Sequence, residues 1–255
     1  MRVSDRHFGI GSDGLILNKP SEVADFKMDM YNADGTQSEM CGNGIRCVGK
    51  YVYDYGLTDK TSVSIETLAG IKYLEFTFGD EEKNGRKTVE LVRVNMGAPI
   101  LAPEDVPVKL PDAGDLVKDY PITVDGKEYR ITCVSMGNPH CVSFVDDVDN
   151  FPLEEVGPLF ENNPIFPNRV NAEFVELVSP TYAKMRVWER GTGETLACGT
   201  GACATAVAAI LNEHCNGEIL IHLLGGDLKI EWDKETNHVF MTGPAAISFE
   251  GEINL

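Results

Sequence analysis

The pentapeptide Met40-Cys41-Gly42-Asn43-Gly44 returns as Ala197-Cys198-Gly199-Thr200-Gly201, and the spacing from Cys41 to Cys198, 157 residues, carries the surrounding sequence with it. Upstream, Lys27-Met28-Asp29-Met30-Tyr31-Asn32 falls on Lys184-Met185-Arg186-Val187-Trp188-Glu189 at the same spacing, and both alternate with the period of two that marks a strand. Downstream, Ile65 to Lys72 matches Ile221 to Lys229 with a one-residue slip at glycine, which reads as a hairpin in each copy. Val89-Glu90-Leu91-Val92 through Met96-Gly97-Ala98-Pro99 then matches Val239 to Pro244, the first copy being longer by the polar loop Gly79 to Lys87. A repeat on this scale dictates two copies of one folding unit. The boundary falls near Pro99, giving a first domain over 1–99, completed by 244–255, and a second over 100–243.

Each copy holds one helix-length segment, Ile45 to Tyr55 and Ala202 to Glu213, and the rest reads as strand and turn. The alanines at 202, 204, 206, 208 and 209 suit a helix packed closely on all sides, so the fold class is α+β, with sheet enclosing one helix per domain. Apolar residues at 43% and charged residues at 24% are ordinary globular usage. The net charge of −18 repels phosphate backbones and anionic membranes, which disfavours a nucleic-acid or membrane partner. Neither a membrane-length apolar run nor a signal peptide at Met1 to Arg6 is evident, so the cytosol is the expected compartment. Seven cysteines, an odd number without Cys-x-x-Cys spacing, read as free thiols and not as disulfides or a metal site.

Position singles out two of those thiols. A cysteine just before a Gly-x-Gly that opens a helix meets unpaired amides and the positive end of the helix dipole, which bind anions and lower a thiol pKa. Two such elements about a pseudo-twofold axis would aim two activated thiols at one ligand. Opposed acid and base groups fit inversion at a carbon bearing an acidic hydrogen: one thiolate takes the proton, the opposite thiol returns one, and no cofactor is needed.

Six motifs in order, namely the two Cys-Gly-x-Gly elements, Tyr31-Asn32-Ala33-Asp34-Gly35, Gly137-Asn138-Pro139-His140, Arg169-Val170-Asn171 and Trp188-Glu189-Arg190-Gly191-Thr192-Gly193-Glu194-Thr195, closely resemble the diaminopimelate epimerases. The resemblance runs from Asp5 to the C-terminus. It implies a pyridoxal-free isomerase that interconverts LL- and meso-diaminopimelate in the lysine and cell-wall pathway, built from two pseudo-symmetric, mostly antiparallel, barrel-like domains around central helices. By that resemblance Cys41 and Cys198 are the acid/base thiols, and His140 and Glu189 tune them. Asn32, Asn138, Asn171 and Arg190 hold the substrate's carboxylates and distal amino group, with Glu189 suited to an ammonium. Gly42, Asn43, Gly199 and Thr200 grip the reacting carboxylate through helix-end amides. The partner is a small molecule, and a homodimer is among the assemblies expected.

Cys47, Cys133, Cys141, Cys203 and Cys215 read as small buried hydrophobes, and His7, His214, His222 and His238 as structural. Trp188 is expected to pack beneath the site. Gly9-Ile10-Gly11-Ser12-Asp13-Gly14 satisfies the dinucleotide fingerprint in spelling only, because Leu15-Ile16-Leu17 continues as a strand where a helix is required. Asp146-Asp147-Val148-Asp149 reads as a solvated loop. The rivals are a proline or hydroxyproline racemase, a cofactor-free isomerase without the thiols, and a thiol oxidoreductase. Both thiols are present, and Glu189-Arg190-Gly191 offers a handle for a distal group that proline lacks. Finally, the strand, turn and strand over Tyr129 to Val145, with Asn138 in the turn, has no partner in the first copy, since its counterpart would precede Met1. The chain is therefore expected to be N-terminally truncated, with its first domain short of a strand or hairpin and one substrate ligand missing, with poor solubility or association through the unpaired sheet edge and severely reduced catalysis.

Overall fold

The structure, a computed structural model, describes residues 2–83, 85–110 and 112–253. Met1, and the end of the C-terminal stretch assigned to the first domain, Asn254 and Leu255, lie outside the described residues. The chain divides into two compact units, Met1–Asn95 with Thr242–Leu255, and Met96–Met241.

In the first unit, β1 (Gly14–Lys19) pairs antiparallel with β2 (Phe26–Asn32), which carries the short β3 (Gln37–Ser38). Helix α1 (Gly42–Asp54) follows, then β4 (Ser62–Thr67), β5 (Gly70–Lys83) and β6 (Arg86–Gly97). The order is β1-β2-β4-β5-β6, parallel only between β2 and β4. The polar segment expected as a loop is instead the far end of the β5–β6 hairpin, where Lys83 still pairs with Arg86, while Asn84 lies outside the described residues. Ile45, Val48 and Val52 are buried on α1, which packs on β5, where Leu74 and Phe76 are buried as well. Gly49 is required there, because a Cβ would stand 2.8 Å from Leu74 Cδ2.

The second unit begins with β7 (Tyr120–Val124), β8 (Lys127–Ser135), β9 (Pro139–Phe144) and α2 (Leu153–Glu161). It continues with β10 (Asn171–Ser179), β11 (Tyr182–Glu189), β12 (Gly193–Thr195), α3 (Gly199–Leu211), β13 (Glu218–Leu223), β14 (Gly226–Asp233) and β15 (His238–Pro244). Its strands β10-β11-β13-β14-β15 repeat the order of the first unit, and β9, β8 and β7 extend the sheet beyond β10.

The internal repeat reaches single hydrogen bonds. Leu15 faces Tyr31 in the first unit and Ala172 faces Trp188 in the second, all displaced by 157 positions. Ala69 N donates to Glu39 O at 3.3 Å, and Gly225 N to Leu196 O at 2.7 Å. Both helices start at glycine, three residues before the expected Ile45 and Ala202, because the cysteine is the N-cap and the glycines form the first turn.

Two further expectations fail. One helix per copy is wrong for the second unit, where α2 was missed: its Pro158 and Gly157 disguised a Leu153, Val156, Phe160 stripe that packs onto the outer core of Phe151, Phe166 and Phe174. Cys47 is exposed, not buried. Its counterpart in the repeat, Ala204, is covered because α3 packs on β8 and β9, which have no equivalent in the first unit among the described residues. The uncovered face of α1 opens a groove of about 540 Å³ lined by Ile16, Cys47, Tyr51 and Leu57. Cys133, Cys141, Cys203 and Cys215 are buried.

Candidate active site

Cys41 and Cys198 each cap a helix in the same extended conformation, φ −135° and ψ 118° at Cys41, φ −121° and ψ 107° at Cys198. Each thiol thus stands over the first turn, where four amides have no partner within the helix. Gly44 N donates to the Cys41 sulfur at 3.3 Å. The second glycine of each motif is fixed by what crosses it. A Cβ on Gly44 would lie 2.5 Å from Ile16 Cδ1, and one on Gly201 would lie 2.8 Å from Glu173 Oε1. Ile16 and Glu173 are themselves 157 positions apart, so the same place in the fold holds an alkyl group in one unit and a carboxylate in the other.

In the first unit, Asn32 ends β2, and its amide donates to Thr36 Oγ1 at 3.0 Å within a turn that Gly35 closes at φ 89°. Asn43 Oδ1 accepts from Arg46 Nη1 at 3.2 Å, and that guanidinium also donates to Gly42 O and Pro244 O.

The second unit holds a connected polar chain. Cys198 Sγ lies 3.5 Å from Thr200 Oγ1, which accepts from Asn138 Nδ2 at 3.3 Å. Asn138 Oδ1 is 3.0 Å from His140 Nε2, and His140 Nδ1 is 2.7 Å from Glu173 Oε1. With Asn138 donating to Thr200, its oxygen takes the Nε2 proton, so His140 and Glu173 share one further proton between Nδ1 and Oε1. Both side chains are wholly buried, and Glu173 Oε2 has no hydrogen-bond partner. Burial pushes the Glu173 carboxyl up, against the pull of His140. Sequence reasoning missed Glu173; its position opposite Ile16 in the repeat was the available signal.

Asn171 braces two neighbours, donating to Pro139 O at 2.9 Å and accepting from Arg190 N at 2.9 Å. Arg190 is exposed and donates from Nη1 to Asn168 O at 3.0 Å. Glu189 accepts from the Thr195 hydroxyl. Trp188 lies against Gly157 and Gly193 and donates to Glu161, as a supporting residue would. Within the second unit, Asn138, His140, Asn171, Arg190, Thr200 and Cys198 therefore belong to one neighbourhood. In the acidic loop, Val148 N donates to Glu176, and Lys184 pairs with Asp149. No helix among the described residues is long and apolar enough to cross a membrane.

A lowered thiol pKa was expected at each helix end, and Cys198 contradicts it. Burial pushes its thiol well up, the Glu189 and Glu173 carboxylates push further, and Thr200 and the Gly201 amide offset only part. Cys141 is likewise raised, by burial and by Cys133. These groups give stability a pH dependence of defined sign. Thiols of the unfolded chain ionise from about 8.5 while the buried ones keep their protons, so their contribution is present below that pH and is lost as pH rises through and beyond it. Between about pH 8 and pH 10 the urea midpoint should fall more steeply in the wild type than in Cys141→Ala. Parallel slopes would show that this thiol does not contribute.

The sequence profile of the family described as diaminopimelate epimerase matches residues 1–102 and 132–248. A diaminopimelate epimerase of Acetivibrio thermocellus is 59% identical over 254 residues, covering 100% of this chain and 88% of its own length. One from Methanococcus maripaludis is 57% identical, covering 99% and 88%. Among solved structures, a probable proline racemase from Agrobacterium radiobacter superposes with a TM-score of 0.68 at 14% identity, covering 98% of this chain and 80% of the other. A hydroxyproline epimerase from Agrobacterium vitis gives 0.63 at 15% identity, covering 91% and 71%. These two share the α+β fold, whereas the profile and the close relatives decide the family. The chain belongs to the diaminopimelate epimerase family.

Proposed function

We propose that Cys41 and Cys198 are the two acid/base groups of an epimerase that inverts one α-carbon of diaminopimelate, converting LL into meso and back. Family membership makes the chain an isomerase of this class, serving lysine biosynthesis. The observation that carries the two-thiol assignment is the repetition itself: two cysteines capping two Gly-x-Gly helices whose first and last residues are displaced by the same 157 positions.

When Cys198 holds its proton, the Cys41 thiolate takes the α-hydrogen, and Cys198 delivers its own proton to the other face. In reverse the roles exchange, so sulfur and carbon protons balance without a cofactor. Negative charge then grows on the α-carboxylate, and the unpaired amides around Gly42, Asn43, Gly199 and Thr200 stabilise it. Asn32, Asn138, Asn171 and Arg190 orient the substrate, Arg190 matching a distal carboxylate with its planar fork. His140 and Glu189 set the proton affinity of Cys198, the first through Asn138 and Thr200, the second through its charge. The expected homodimer and cytosolic location belong to the same reading and are checked by sedimentation equilibrium and cell fractionation.

In heavy water, LL-diaminopimelate should gain solvent deuterium at an α-carbon as meso product appears. Epimerisation with full retention of the original hydrogen would defeat the two-thiol mechanism, and turnover of proline in its place would defeat the substrate.

A further inference from the structure

We propose that Glu161 is the positioning residue for recognition of the substrate's distal amino-acid group, because its carboxylate fixes the turn on which Arg190 stands. The proposal rests on the diaminopimelate reading above. Glu161 is the last residue of α2 and is buried, 6% exposed. Its two oxygens take three donors from three separate pieces of chain. Oε1 accepts from Gly191 N and from Arg169 Nη1, both at 2.8 Å, and Oε2 accepts from Trp188 Nε1 at 2.8 Å. A carboxylate offers about four acceptor sites, so this one is nearly filled, and bonds to a charged acceptor are the strong ones. Burial pushes the carboxyl up, but the donors from Trp188, Gly191 and Arg169 together hold it below its usual range, so it remains charged near neutrality.

The turn it holds is closed at its base by Thr192 N donating to Glu189 O at 3.0 Å and by the pairing of Glu189 with Gly193, and Glu161 ties its tip to α2. Gly191 and Gly193 sit at φ 78° and φ 94°, in the left-handed region that glycine enters freely. Arg190 between β11 and Gly191 is exposed and is tied at its amide by Asn171 alone. Beside the bond from Arg190 Nη1 to Asn168 O, Gly191 N on Glu161 is thus the second backbone point that sets the direction in which the Arg190 side chain leaves the turn. Arg169 also adopts a left-handed φ, 58°, a conformation that costs a non-glycine residue energy and persists where surroundings enforce it. The Glu161 contact and the approach of its guanidinium to Gly191 supply that enforcement.

Glu161→Gln keeps the shape but presents one acceptor and one donor group, so one set of partners meets the wrong polarity. Its KM for diaminopimelate should rise about tenfold with kcat changed by less than about twofold, the signature of lost uniform binding. For an α-amino acid of the same chain length lacking the distal ammonium and carboxylate, α-hydrogen exchange should be equal in variant and wild type. A variant that loses both activities equally, or neither, overturns the proposal. A wild-type chain that exchanges no α-hydrogen of diaminopimelate defeats the substrate reading instead. The clamp is then judged without substrate: the Gly191 amide of the wild type, though on an exposed residue, should exchange at least about tenfold more slowly than in an unstructured peptide. Protection at the unstructured level overturns the clamp even if Glu161→Gln does not fold.

Discussion

Cys41→Ser and Cys198→Ser should each lower epimerisation of both diaminopimelate stereoisomers by at least about 10³-fold, because each removes one of two acid/base groups and a positioned group of this kind is worth about 10² to 10⁴. Serine keeps the cap geometry, since an N-cap oxygen accepts the same helix amide that Gly44 offers to the Cys41 sulfur. The loss would therefore be of proton transfer and not of the helix. Substrate binding, read by quenching or calorimetry, should fall far less than turnover, as the helix-end amides remain. The thiol left in either variant can exchange a proton on its own face, so the decisive reading is the interconversion of stereoisomers. More than a tenth of wild-type epimerisation in either variant would remove that cysteine from the mechanism. The two variants need not be equal: Cys198 is buried against two carboxylates, whereas Cys41 is half-buried beside an alkyl neighbour.

The largest expected effect on stability lies one residue from Glu173. Phe174 is wholly buried, stacked on Phe151 with ring centroids 4.2 Å apart and met edge-on by Phe160 at 5.1 Å. Phe174→Ala should destabilise the second unit by about 3 to 5 kcal/mol, the transfer term of the ring plus the cavity left among rigid neighbours. Against a total of about 5 to 15 kcal/mol for a domain, this puts the variant near its unfolding threshold at physiological temperature. Activity should follow, since β10 also carries Asn171 and Glu173. Urea unfolding measures the change, and a loss below about 1.5 kcal/mol would mean that the outer core of β10, α2 and Phe151 repacks around the gap.

What the sequence alone determined is whatever is written locally and written twice. The period of two in Lys27 to Asn32 and in Lys184 to Glu189 specified β2 and β11, and the doubled Cys-Gly-x-Gly specified two capped helices with a thiol at each amide end. Tertiary structure decided everything that depends on what lies across a strand. Along Asn171 to Ser179 apolar residues fall on both faces, Ala172 and Phe174 on one and Val175 and Leu177 on the other, and Glu173 is wholly buried, because α3 covers the second face of β10 while α2 covers the first. A periodic pattern encodes one buried face, and a sheet with a helix on each side has two. The same reason raised the Cys198 thiol against the pull of its helix, since burial and two carboxylates brought from β10 and β11 outweigh the amide end. It also left Cys47 in the open where Ala204 is enclosed, although the two occupy one position of the repeat. Glu161 is the clearest instance. Its three partners are 8, 27 and 30 residues away in sequence, and only the fold brings them to one carboxylate.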